Sequence, residues 1–109
     1  MIQCSNGKLE VNGVAWELDY PVLDAFAYDS NVIVLFDPDA GLKIPNFANL
    51  VCYGNDGEKI WVAELPTNKT ADTYCGIISR SPLLLYSFCS YDVEIDPNTG
   101  KIIKQNFTK

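Results

Sequence analysis

Nowhere does this chain keep an i, i+3, i+4, i+7 stripe of apolar side chains free of an interrupting glycine or proline, so no amphipathic helix is available to form a wall of its core. Apolar runs of four to seven residues are instead cut by turn residues roughly every ten positions, the rhythm of an all-β chain. Strands are expected over 8–11, 14–18, 22–28, 32–36, 49–53, 58–64, 74–78, 83–88, 91–95 and 101–107. The pattern predicts an antiparallel meander of about eight to ten strands. With 109 residues, nearly half of them apolar, the chain reads as a single all-β domain over 1–109 with a real hydrophobic core.

Two of these strands carry a further constraint. VIVLF (32–36) and LLLYSF (83–88) are apolar on both faces, whereas a solvated sheet alternates. With no helix to cover a second face, the sheet must curl into a half-barrel, split into a two-layer sandwich, or bury one face against another molecule.

The connections fall into two kinds. Asn12-Gly13, Ser30-Asn31, Gly54-Asn55-Asp56-Gly57, Arg80-Ser81-Pro82 and Pro97-Asn98-Thr99-Gly100 are short and rich in turn residues. DPDAGLKIPNFA (37–48) and PTNKTADT (66–73) are long. Counting through a meander puts the tight turns at one end. Both long loops and the Asp19-Tyr20-Pro21 corner then share the other end. Long loops in a small domain more often carry function, so the first candidate working surface holds Asp19, Asp37, Asp39 and Asp72. Tyr20 and Phe47 are expected as partner contacts there. Trp16, Phe26, Phe36, Trp61 and Phe88 are expected in the core.

Catalytic and metal chemistry is poorly supplied. There is no histidine, so the commonest general base and any Cys-His or Ser-His pair are absent. DPNTGK (96–101) could be a cation loop, but Lys101 stands where a further ligand is needed. Aspartate capping a turn, proline presetting φ and a left-handed glycine describe it better, and Asp37 to Gly41 repeats the spelling. The four cysteines, Cys4, Cys52, Cys75 and Cys89, form no CxxC pair and are expected as small buried hydrophobes. Asp92 and Glu94 share one strand face, with Lys104 as a cross-strand partner. No enzyme, cofactor or metal is expected.

The net charge of −6 argues against nucleic acid and anionic membrane as partners and favours a basic protein. The first residues show neither a basic n-region nor a long apolar h-region, so a soluble, cytoplasmic protein is expected.

NLVCYGNDGEKIWVAEL (49–65) and SYDVEIDPNTGKIIKQNF (90–107) follow one plan: a strand, an Asp/Asn/Gly corner ending in glycine, and a second strand opening on a charge and an aliphatic. This resembles the outer hairpin of quinoprotein-type (PQQ-like) β-propeller blades, with Trp61 at the tryptophan place and Ile103 replacing it in the second copy. The resemblance covers about a third of the chain and implies blade-like hairpins, not a closed propeller or a quinone site. In size, charge and missing chemistry the chain is similar to bacterial toxin-immunity proteins. That likeness implies an inhibitor of a basic, nuclease-type toxin, whose acid cluster mimics phosphate. The alternatives from other classes are a small-molecule-binding β protein and a structural module that self-associates as a homodimer.

Overall fold

Residues 32–36 are covered on both faces because the meander breaks into sheets that stack. The structure, a computed structural model, describes residues 1–108. The strands are β1 (Ile2–Ser5), β2 (Lys8–Val11), β3 (Val14–Trp16), β4 (Val22–Tyr28), β5 (Asn31–Phe36), β6 (Leu50–Gly54), β7 (Lys59–Val62), β8 (Tyr74–Arg80), β9 (Leu83–Ser87), β10 (Tyr91–Ile95) and β11 (Ile102–Phe107). A single 3₁₀ turn, Pro38–Gly41, follows β5. The fold is all-β and antiparallel, as the sequence predicts, with β1 as a strand beyond those expected. No helix among the described residues is long and apolar enough to cross a membrane.

Three sheets form, each from consecutive strands: β1-β2-β3, then β4 to β7, then β8 to β11. Along β5 the side chains alternate between two separate clusters. Ile33 and Leu35 join Leu50, Cys52 and Trp61 against Leu83, Leu85, Val93 and Ile95 of the C-terminal sheet. Val32, Val34 and Phe36 join Val51 and Tyr53 against Leu9 and Val11 of the N-terminal sheet. The middle sheet is therefore sandwiched, and β5 needs no solvent face. The C-terminal sheet is covered on one side only. Strand alternation turns Ser87 inward and Phe88 outward, so Phe88 is 64% exposed, contrary to its expected core place.

Two polar contacts lock the middle and C-terminal sheets together. Asn49, fully buried, donates from Nδ2 to the carbonyls of Phe36 (2.9 Å) and Tyr74 (2.7 Å) and accepts the Tyr74 N–H at 2.9 Å. Along the β7 edge, Trp61 Nε1–H donates to the Pro97 carbonyl at 3.1 Å and its ring lies on Gly100. A Cβ on Gly100 would sit 2.5 Å from that ring, and its φ of +76° already favours glycine. The tryptophan of the first repeated hairpin thus docks on the glycine corner of the second. Asp96 caps that corner, accepting the Asn98 N–H at 2.9 Å.

Replacing Asn49 strands a buried N–H and two buried carbonyls. Asn49→Ala is expected to destabilise the fold by roughly 3–5 kcal/mol. A urea titration reads this as a lowered midpoint at unchanged slope. A change below about 1 kcal/mol would show that water replaces the clasp.

Candidate functional site

The two long loops meet at one end of the stack and are tied to each other. In the first, the Asp37 carboxylate accepts the Asp39 N–H at 2.9 Å, and proline opens the 3₁₀ turn. Gly41 closes that turn for a different reason from Gly100. It is not at positive φ; a Cβ there would lie 2.0 Å from the Phe47 ring. Phe47 packs on this bare backbone and is 6% exposed. The half-buried Tyr20 meets it edge to face, with ring centroids 5.0 Å apart, and meets Phe36 at 5.5 Å.

The second loop is organised by Asp72. Its side chain is 1% exposed and accepts three hydrogen bonds: Thr67 Oγ1–H at 2.7 Å, Thr73 N–H at 3.1 Å and Cys89 N–H at 3.2 Å. Asn46 then joins the loops, donating from Nδ2 to the carbonyls of Thr67 (3.0 Å) and Lys69 (2.9 Å). Thr73 Oγ1–H donates to the Phe47 carbonyl at 2.8 Å. Long segments without regular structure are thereby tied to each other and to the sheets.

Between them lies a recess of about 220 Å³. Leu42, Ile44, Phe47 and Phe88 form apolar walls, and Asp39 and Asp72 supply carboxylates. Leu42 is 82% exposed, so the mouth displays two large apolar side chains, Leu42 and Phe88. The Asp39 side chain accepts no hydrogen bond among the described residues, where the one ion pair is Arg80–Asp24 at 3.2 Å. Cys75 also lines the recess. Burial, then Asp72, Asp39 and Cys89, push its thiol above the ordinary value, which leaves it a poor nucleophile at neutral pH. Burial, helped by Asp72 and Glu64, likewise holds the Tyr74 phenol well above its usual range. Its hydroxyl donates to the Glu64 carbonyl at 2.6 Å.

Of the residues singled out from sequence, Asp39, Phe47 and Asp72 share this recess. Phe47 and Asp72 do so as buried supports rather than displayed contacts, because glycine backbone and three donors draw them inward. Asp37 serves the 3₁₀ turn. Exposed Asp19 lines a neighbouring groove with Lys8, Trp16 and Tyr20. Of the cysteines, only Cys52 is buried; Cys75 and Cys89 are partly so, Cys4 is exposed, and all four are free. Sequence reasoning missed Leu42, Ile44 and Phe88. The signal for the first two was present in GLKIPNFA, a loop with more large apolar residues than a solvated connection needs.

The fold and site define a stacked, sequential β-meander protein with a walled recess at its long-loop end. The chain belongs to the family described as a domain of unknown function, DUF7957, whose model matches residues 1–107. No curated protein and no solved structure matches it.

The supporting role of Asp72 can be separated from its charge. Asp72→Ala strands Thr67, Thr73 and Cys89 donors and is expected to cost about 3 kcal/mol. Asp72→Asn keeps an acceptor oxygen and is expected to lose less than half of that. Thermal unfolding of the two variants checks the difference; equal losses would mean that the negative charge itself holds the loop.

Proposed function

We propose that the chain is a non-catalytic, acidic protein-binding module that engages a basic protein through its long-loop end. In its most specific form it is an immunity-type inhibitor that neutralises a basic, nuclease-type bacterial toxin. The observation that carries this reading is the pairing of exposed Leu42 and Phe88 around a recess whose loops are fixed by hydrogen bonds. Apolar anchors on a pre-ordered rim bind without a large ordering cost, which is how a small interface gains affinity. The net charge of −6 adds steering toward a basic partner. Lys43 and Lys69 sit in the same two loops outside the recess lining, so the acidity that steers belongs to the whole chain. The reading assigns no catalytic step: Asp72 is committed to three donors and Cys75 is held protonated. The likeness to blade hairpins is supported by Trp61 seated on Gly100 and brings no cofactor site with it.

The test is capture of a basic domain encoded by the adjacent reading frame. Binding is expected to weaken steeply as salt rises from about 50 to 200 mM. Leu42→Asp and Phe88→Asp are each expected to weaken it by about 30-fold or more, with thermal stability unchanged. Affinity that ignores both substitutions would remove the long-loop end from the interface.

A second reading, self-association, is favoured by the outer face of the C-terminal sheet. Ile78 (53% exposed) and Tyr86 (46%) flank Leu84 there, with the Tyr86 ring lying over Gly76. Sedimentation across a wide concentration range is the check. A dimer dispersed by Tyr86→Lys would favour this reading; a monomer throughout would end it.

A further inference from the structure

We infer that the recess between the two long loops seats one arginine side chain of the partner protein. This rests on the binding-module reading and names what that module grips. Size comes first. At about 220 Å³ the recess is smaller than the roughly 300–1,000 Å³ usual for sites that enclose a drug-sized molecule, and it suits a single side chain. Chemistry comes second. Leu42 and Ile44 offer an apolar wall for an aliphatic stem, and the exposed Phe88 offers ring surface. None of the lining residues is basic, and two, Asp39 and Asp72, are acidic.

The two carboxylates have different jobs. Asp72 has its oxygens engaged by three protein donors, so it has little left to offer a guest directly. Asp39, at the exposed mouth, has an open acceptor pair among the described residues. A purely apolar guest would desolvate Asp39 without pairing it, which is unfavourable. A cation on an apolar stem satisfies both halves of the lining. Between the two basic side chains, arginine fits better. Its planar, weakly hydrated guanidinium stacks on aromatic rings, and its fork of N–H donors matches a free carboxylate. Lysine carries a compact, strongly hydrated ammonium that gains less from the Phe88 ring.

The inference is tested on the isolated chain. N-acetyl-arginine amide, N-acetyl-lysine amide and N-acetyl-norleucine amide are titrated separately at low salt into ¹⁵N-labelled protein. The arginine amide is expected to give saturable shifts at the backbone amides of Leu42, Ile44, Thr73 and Phe88, and to bind several-fold more tightly than the other two. Asp39→Asn is expected to weaken it about two- to fivefold, the worth of one partly exposed charge pair. Phe88→Ala is expected to remove the preference over the lysine amide. No localised shift up to roughly 50 mM arginine amide, where an interaction of even ~2 kcal/mol would register, would overturn the inference. So would norleucine amide binding equally well, or Asp39→Asn leaving the arginine amide unaffected. If a basic protein binds through Leu42 and Phe88 while the arginine amide does not, the arginine seat falls and the binding-module reading stands. If the arginine amide binds as described and no basic protein does, the seat stands and the function reading falls.

Discussion

Five consecutive apolar residues, 32–36, can be solvated on neither side, and the layering of the molecule follows from covering them. One face of β5 is met by the C-terminal sheet, the other by β2 of the N-terminal sheet. A single curled sheet would have covered only one of those faces. Stacking also explains why the N-terminal sheet needs just three short strands. Its task is to supply Leu9 and Val11, and the remainder of β1 and β3 stays largely exposed.

Cross-layer contacts turn that stack into a scaffold with two distinct ends. Trp61 on Gly100 fixes the β7 edge, while Asn49 pins the start of β8 to the end of β5 where the long loops begin. Anchored at their roots and joined through Asn46 and Thr73, the loops can carry Leu42 in the open, beside Phe88 of the β9–β10 turn, without collapsing onto it. Rigid support beneath exposed apolar side chains is what separates a built recess from a hydrophobic accident.

Much of this was legible in the residues. The bounds of β2, β4 and β10 match those read from alternation alone, and the two long loops share one recess, as their place in the meander predicts. β1 was not legible, because Ile2–Ser5 is mostly exposed and takes its strand form from pairing along β2. The division into three sheets depends on which strand faces meet across space, which alternation does not encode. The site was half legible for the same reason. Its location followed from loop length, but Phe47 and Phe88 exchange roles, since a bare glycine backbone buries the first and strand parity exposes the second. The D-P-x-x-G spelling shows the limit most sharply. At Gly100 the glycine answers a left-handed φ, and at Gly41 it answers the approach of a ring from a distant position.

The order of the sheets along the chain has a consequence for how the molecule comes apart. Every sheet closes its own ladder from consecutive strands, so each layer can detach without unthreading another. The N-terminal layer holds on through Leu9, Val11, the Gly7–Val22 bridge and contacts of β1 with β4. Opening of this layer alone would uncover Val32, Val34 and Val51, giving the middle sheet the bare apolar face that the native stack exists to hide.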